Sequence, residues 1–241
     1  MFKETKKRAI VKTISWRITA TLTTALLVYL FTGEIGIAIS VGLLEMLAKM
    51  ALYYIHERLW DKSHFGKQRI PGFVLWISGI PCSGKTTLAD MVYSDLEKEK
   101  LNLQRLDSHD IRPLFPETGF SKDEVNNHVK RVGHLASMLE KRSIIVIASF
   151  VSPYKESREF VRRQCGNYFE VFLDIEPKKA KSYDTKGLYE KAEKGEIEHF
   201  PGVNAEYEAP ETADLIINMN DISLEEAKEK IMKEIRNRFL K

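Results

Sequence analysis

Phe73-Val74-Leu75-Trp76-Ile77 runs straight into Ser78-Gly79-Ile80-Pro81-Cys82-Ser83-Gly84-Lys85-Thr86-Thr87. Five consecutive apolar residues are what a parallel strand buried on both faces requires. The residues from Gly79 to Thr86 then match G-x-x-x-x-G-K-[ST], and a helical pattern over 86–97 follows. Strand, glycine loop and helix start, in that order, build a cradle for phosphate. The glycines let backbone N–H groups close around the anion, and the helix N-terminus adds partial positive charge. Gly79, Cys82, Ser83, Gly84, Lys85, Thr86 and Thr87 are therefore the candidate ATP-binding residues. In such a loop the lysine, Lys85, reaches the β- and γ-phosphates, and the Thr86 hydroxyl ligates Mg²⁺. The plain alternative, a glycine turn beside a surface lysine, does not account for the strand that precedes it.

Working outward, apolar runs recur at 101–106, 144–150, 168–175 and 215–219, with helical patterns over 86–97, 122–140 and 224–239 between them. That alternation predicts an α/β fold of the P-loop NTPase type, a parallel sheet with helices on both faces. The 241 residues, 44% hydrophobic and 29% charged, suffice for one sizeable globular domain with a small appendage. Lys and Arg number 37 against 34 Asp and Glu. So even a balance gives no electrostatic footprint for nucleic acid, and no such partner is expected. Two cysteines, Cys82 and Cys165, build no disulfide framework and lack metal-ligand spacing.

The second expected strand ends in Leu106-Asp107-Ser108-His109-Asp110-Ile111-Arg112. Carboxylates at the C-terminal end of a parallel strand face the crevice where α/β proteins bind ligands. Asp107 is suited either to hold Mg²⁺ through water or to orient an attacking hydroxyl, Asp110 shares the candidacy, and Arg112 suits an anionic acceptor. The alternative for a single aspartate here is a helix N-cap, above all Asp110 ahead of Ile111.

The first sixty residues have a different character. Two apolar stretches, 14–31 and 35–55, are split by Thr32-Gly33-Glu34. Each holds about 18 to 21 residues, about 27 to 32 Å of helix, close to a bilayer's hydrocarbon core. Lys3, Lys6, Lys7, Arg8 and Lys12 flank the first, Arg58 and Lys62 the second, and the turn carries no base. The positive-inside rule then puts both ends in the cytoplasm, with the domain that follows. The expectation is a multi-pass membrane location through a two-helix transmembrane hairpin over 1–60, a linker over 61–72 and the P-loop domain over 73–241. Glu45 and Lys49 share a helix face inside the second stretch. They read as a self-compensating pair facing Arg17 or a neighbouring subunit, or else as part of an ion path. Because both stretches are polar for true spans, a soluble hairpin is the alternative.

Two resemblances sharpen this reading. Lys12-Thr13-x-Ser15-Trp16-Arg17, Ala20-Thr21, Thr32-Gly33, Glu45, Lys49 and Tyr54-x-His56-Glu57-Arg58-x-Trp60 cover nearly all of residues 8–60. They resemble a family of small membrane domains of unknown function, which implies a location and no chemistry. Further on stand the loop Gly79 to Thr87, Leu106-Asp107 with Arg112, Gly119-Phe120-Ser121, Arg131-Val132-Gly133, and Ile145-Val146-Ile147-Ala148-Ser149-Phe150-Val151-Ser152-Pro153-Tyr154 with Arg158. Asp184-x-Lys186-Gly187-Leu188-Tyr189, Phe200-x-Gly202 and Tyr207-Glu208-x-Pro210 complete the series. In this order the segments resemble adenylyl-sulfate kinase from about residue 72 to the end. The glycine loop is common to many kinases; Ser152-Pro153-Tyr154 and Lys186-Gly187-Leu188-Tyr189 are far more specific.

The resemblance implies transfer of the γ-phosphoryl of ATP, with Mg²⁺, to the 3′-hydroxyl of adenylyl sulfate, a step of sulfate assimilation that gives 3′-phosphoadenylyl sulfate. It implies an acceptor pocket lined by Arg112, Phe120, Ser152, Lys186 and Phe200, with the two rings stacking a base. It also implies a water-excluding lid from residue 186 to about 208, and a chain able to form a homodimer. The catalytic candidates are then Lys85, Asp107, Asp110 and Ser152. Taken alone, Phe120 and Phe200 read as core residues and Lys186 as a solvated lysine.

Departures from the family fall mostly on the acceptor side. His109 stands where the family has a second aspartate, and Val125 and His128 where it has an arginine and an asparagine that contact the acceptor. Tyr183 replaces an arginine that holds adenine. Loss of one arginine contact to a charged acceptor costs about 1.5 to 3 kcal/mol. The leading expectation is an ATP-dependent kinase of adenylyl sulfate. One alternative is a kinase of the same family with another nucleotide-linked or sugar hydroxyl as acceptor; one relative acts on cytidine diphosphoramidate. The other is a nucleotide-binding membrane module with weak chemistry.

Overall fold

The structure, a computed structural model, describes residues 2–4, 6–30, 35–63, 65 and 67–240. For residues 2–4, 6, 17, 21–22, 24–26, 28–29, 35–46 and 67–69 it describes the backbone alone. Two compact units result, Phe2–Arg69 and Ile70–Lys241.

The first unit contains β1 (Phe2–Glu4), α1 (Lys6–Leu30), α2 (Ile35–Lys62) and β2 (Lys67–Arg69), with β1 and β2 paired antiparallel. The segment expected as linker thus holds the last turn of α2 and strand β2. Arg8 is buried, and its guanidinium donates to the carbonyls of Ser63 at 2.9 Å, Phe65 at 2.8 Å, and Trp60. The last carbonyls of a helix lack intrahelical donors, so Arg8 supplies the cap that ends α2. Lys12 pairs with Glu57 at 2.8 Å. The Ser15 hydroxyl lies 2.9 Å from His56 Nε2, and Trp60 Nε1 donates to that nitrogen at 3.1 Å. Trp16 meets Tyr53 edge-on at 5.0 Å. Lys12, Ser15, Trp16, His56, Glu57 and Trp60 of the pattern shared with the membrane-domain family thus make contacts between the two helices.

Helices α1 and α2 hold 25 and 28 residues, because they take in the charged flanks of the apolar stretches. Among the described residues, no helix is long and apolar enough to cross a membrane. Threonines and Arg17 dilute the first stretch. The turn at Thr32-Gly33-Glu34 and the side chains of Arg17 and Glu45 lie outside the described residues.

The second unit is built on β3 (Val74–Ser78), β4 (Leu103–Asp107), β5 (Ile145–Ser149), β6 (Tyr168–Asp174) and β7 (Leu215–Asn218). Their order is β4-β5-β3-β6-β7, with every pairing parallel. The intervening helices are α3 (Lys85–Lys98), α4 (Ser108–Ile111), a 3₁₀ turn (Arg112–Leu114), α5 (Lys122–Glu140), α6 (Lys155–Gln164), α7 (Pro177–Ser182), α8 (Leu188–Glu193) and α9 (Leu224–Phe239). Capping boxes start α5 (Ser121 with Glu124) and α9 (Ser223 with Glu226).

Every residue of β3 is buried, and alternation along the strand feeds two separate cores. Phe73, Leu75 and Ile77 pack with Leu88, Val92 and Leu96 of α3 and Ile231 and Ile235 of α9. Val74 and Trp76 pack with Val129, Val132 and Ala136 of α5 and Val161 of α6. Burial of one such side chain contributes about 1.5 to 3 kcal/mol, so the strand ahead of the glycine loop is among the most firmly seated in the sheet. That rigidity is what a precisely shaped phosphate loop needs beneath it.

Two positions in α5 yield predictions. A Cβ on Gly133 would stand 2.4 Å from Val161 Cγ2, so α5 and α6 approach as closely as glycine permits. Ala for Gly inside a helix ordinarily gains about 1 kcal/mol, but overpacking costs about 1 to 3 kcal/mol. Gly133→Ala is expected to lower the urea midpoint with an unchanged m-value; a raised midpoint would mean the two helices have slack. His128 is buried, its ring near Phe115 (5.7 Å) and Phe150 (6.1 Å), and neither ring nitrogen has a partner. Burial, then the charges of Arg112 and Arg131, push its value down from 6.5 to about 4. The unfolded chain binds the proton first, so stability is lost as pH falls from about 6.5 to about 4. His128→Phe should flatten that part of the pH–stability curve, measured by urea unfolding at pH 4.5 and 7; an unchanged slope would place the dependence elsewhere.

Candidate active site

The loop after β3 turns through three left-handed residues: Gly79 at φ 151°, Cys82 at 61° and Gly84 at 90°. A Cβ on Gly79 would lie 2.8 Å from Ser83 Oγ and 2.9 Å from the Leu173 carbonyl, so only glycine lets the loop close. Cys82 holds a conformation that costs a non-glycine residue roughly 1 to 3 kcal/mol, strain of the kind kept at working sites. Gly84 precedes α3, whose first N–H groups, on Lys85, Thr86 and Thr87, have no intrahelical acceptor. Lys85 is buried and curls back along the loop, donating to the Ile80 carbonyl at 2.6 Å and to Ser83 Oγ at 3.3 Å. Burial lowers its ammonium from 10.5 to about 8, against the opposing pull of Cys82 and Asp107.

Asp107 closes the other side. Its Oδ2 accepts from Thr86 Oγ1 at 2.9 Å, from Arg105 Nη2 at 3.1 Å and from the Ser149 hydroxyl. Its Oδ1 accepts the His109 N–H at 2.9 Å. Asp107, not Asp110, is thus the N-cap of α4; Asp110 is exposed and does not line the cleft. Burial raises the Asp107 carboxyl, but the bonds from Ser149, His109 and Thr86 and the charge of Arg105 outweigh it and hold the group below its ordinary value. With three donors on Oδ2, the lone pairs left free belong mainly to Oδ1.

Sequence reading passed over Ser149 and Arg105. Ser149 is the register partner of Asp107 in the parallel β4–β5 pair, and its signal was a polar residue at the end of an apolar run. Arg105 lies two residues before Asp107, hence on the same strand face. It also bonds Asp90 at 3.0 Å and the Thr86 carbonyl at 3.3 Å.

Cys82 to Thr87, Asp107 and Lys186 line one cleft of about 770 Å³, together with His109, Tyr183 and Thr185. Ile175, Met219, Ile222 and Leu224 form its apolar end. The remaining expected residues stand apart from it. The Arg112 guanidinium lies 3.8 Å from the centre of the exposed Phe120 ring and donates to the carbonyls of Thr118 (3.0 Å) and Gly119 (2.7 Å). Ser152 is buried at φ 43°, and its hydroxyl accepts the Trp76 indole N–H at 3.0 Å. Phe200 is buried edge-on against Tyr189, at 5.0 Å. Among the described residues, no group of three or more His, Cys, Asp or Glu side chains is arranged to hold a metal.

Comparison with known proteins agrees with this geometry. Residues 71–218 match the family described as Adenylylsulphate kinase, and residues 10–61 the family described as Predicted membrane protein (DUF2061). The adenylyl-sulfate kinase of Thermodesulfovibrio yellowstonii is 38% identical over 189 residues, covering 77% of this chain and 92% of the relative. That of Synechococcus sp. (strain JA-3-3Ab) is 36% identical over 167 residues, covering 69% and 95%. The solved structure of the Mycobacterium tuberculosis APS kinase in complex with AMPPNP and APS superposes with a TM-score of 0.66 at 30% identity, covering 69% of this chain and 98% of that one. A phosphate loop faced by a fixed aspartate, within so extensive a match, makes this chain a member of the adenylyl-sulfate kinase family, phosphotransferases that act on an alcohol group.

Proposed function

We propose that the chain transfers the γ-phosphoryl of ATP to the 3′-hydroxyl of adenylyl sulfate, giving ADP and 3′-phosphoadenylyl sulfate. The observation that carries this is the Thr86–Asp107 contact beside Lys85 at the floor of the cleft. Lys85, the loop N–H groups and the start of α3 hold the β- and γ-phosphates, and the ammonium turns from the Ile80 carbonyl toward them. Ile175, Met219, Ile222 and Leu224 offer the apolar slot for the adenine, with the exposed Tyr183 ring in the place of a stacking group. Thr86 and Asp107 present hard oxygens, the donor type Mg²⁺ takes, and one or two protein ligands suffice when phosphate and water supply the rest. Because Oδ2 is saturated, Asp107 acts through Oδ1, toward a metal-bound water or the attacking hydroxyl. Thr86 and Asp107 would hold Mg²⁺, which would supply charge neutralisation for the phosphates. The acceptor oxygen bonds to the γ-phosphorus as the β–γ bridge breaks, in line; ADP leaves and the hydroxyl proton passes to Asp107 Oδ1 or to solvent, with positioning and charge as the protein's main contributions. Arg112, Phe120, Lys186 and Phe200 are the acceptor-side residues, with Ser152, whose hydroxyl accepts from Trp76 and keeps its own O–H to donate.

A second reading keeps the kinase and changes the acceptor to another nucleotide-linked or sugar hydroxyl. His109 favours it, because an imidazole lines the cleft where the family has a carboxylate. Turnover by the full-length chain with adenylyl sulfate, against a panel of cytidine, uridine and adenosine diphosphate conjugates, separates the two. Lys85→Ala is expected to abolish turnover with every acceptor; activity near wild type would sink the phosphate-site assignment.

We also propose that the first unit attaches the enzyme to a membrane, with both helix ends and the kinase unit on the cytoplasmic side. The family match over residues 10–61 supports this, as do the exposed apolar residues Ile10, Ile14 and Ile18 on α1 and Leu47, Met50 and Tyr54 on α2. Full-length protein should sediment with vesicles and resist release by alkaline carbonate. Recovery in the supernatant at high salt would reject attachment through apolar contact.

A further inference from the structure

Three segments carry the acceptor-side residues: the loop through Phe120 into α5, the turn Ser152-Pro153-Tyr154 into α6, and the lid from Lys186 to Glu208. They are distant in sequence, yet one residue at the end of the lid, Glu208, binds to both of the others. Glu208 Oε1 accepts from Lys122 Nζ at 3.1 Å, two residues after Phe120. Its Oε2 accepts the Lys155 N–H at 2.6 Å, and its own N–H donates to the Pro153 carbonyl at 2.8 Å. Its carbonyl accepts from Arg158 Nη2, while Arg158 Nη1 donates to the Ser152 carbonyl at 2.7 Å. Arg158 is buried and backed by the equally buried Glu170, 3.4 Å away. Tyr207 fixes the same point by stacking on Phe172 at 5.8 Å. The lid's other end is tied to the phosphate loop, where Tyr189 donates its hydroxyl to the Pro81 carbonyl at 2.9 Å.

We propose that Glu208 is a positioning residue for the acceptor. With its N–H, carbonyl and both carboxylate oxygens engaged, it clamps the lid root to the two loops that present Phe120 and Ser152, and so sets the affinity for the acceptor nucleotide. The proposal rests on the acceptor-side assignment above, and it touches none of the groups that hold ATP.

Two variants test it in the full-length chain. Glu208→Gln leaves an amide oxygen for the Lys155 N–H but disrupts the Lys122 pair. Lys155→Pro removes the N–H donor at the first residue of α6, a position that favours proline, after a residue already extended at φ −107° and ψ 135°. Loss of a charge-assisted bond predicts a roughly tenfold rise in the KM for adenylyl sulfate in Lys155→Pro, with a smaller rise in Glu208→Gln. The KM for ATP stays as in wild type. Trypsin should also cut faster at Lys186, Lys191 and Lys194 in both variants. An unchanged acceptor KM in Lys155→Pro, or a KM for ATP that rises in step, overturns the clamp. If wild type does not turn over adenylyl sulfate, the acceptor reading fails by itself; the clamp is then judged on tryptic cutting, and equal rates overturn it.

Discussion

The carboxylate of Asp107 is where the separate parts of the kinase unit become one site. It stands at the end of β4, takes a hydroxyl from α3, another from β5, a guanidinium from its own strand and an N–H from α4. Each donor would be poorly placed if the strands were out of register by one residue, because a slip of one moves a side chain to the opposite face. The parallel pairing of Asp107 with Ser149 is therefore a condition for the chemistry as well as for the sheet. Charge matters as much as geometry. A carboxylate held below its ordinary value lines the same cleft as a buried lysine, so the cleft carries both signs.

The glycine loop, with its strand and helix, was legible in the sequence because its information is local. Gly79 to Thr87 are contiguous, the strand before them is uniformly apolar, and the helix after them has a clear period. The helices over 122–140 and 224–239 were readable for the same reason, and both occur with those bounds. Other features depend on what the strand order brings together. Ser149 acquires its place only when β5 lies beside β4, and Asp110 loses the capping role to Asp107 because the strand continues one residue past Leu106. In the first unit, apolar length, basic flanks and a family resemblance suggested two spans. Arg8 and the Ser15–His56–Trp60 group instead show polar residues at the open end of the hairpin meeting one another.

The residues expected on the acceptor side have the opposite character. Arg112 and Phe120 cover each other, Ser152 is bonded to Trp76, and Phe200 is committed to Tyr189. Residues that motif reading gathers into one pocket are here distributed over three loops. The side chains of Glu208 and Arg158, bonded mostly to backbone groups of those loops, hold them near one another. A pocket assembled in this way depends on turn geometry far from the bound molecule, and short motifs carry little of that information.

The two faces of β3 feed two hydrophobic clusters, which the strand keeps apart. One holds α3, α9, Tyr189 and Phe200; the other holds Ile111, Phe115, α5 and α6. Substitutions in different cores share few partners, and their effects are close to additive. A lineage can therefore remodel the packing beneath α5 and α6, where His128 sits, while the packing beneath the phosphate loop stays as it is. In evolutionary terms the sheet acts as a partition. It lets packing on one face change by small steps that leave the face beneath the phosphate loop intact.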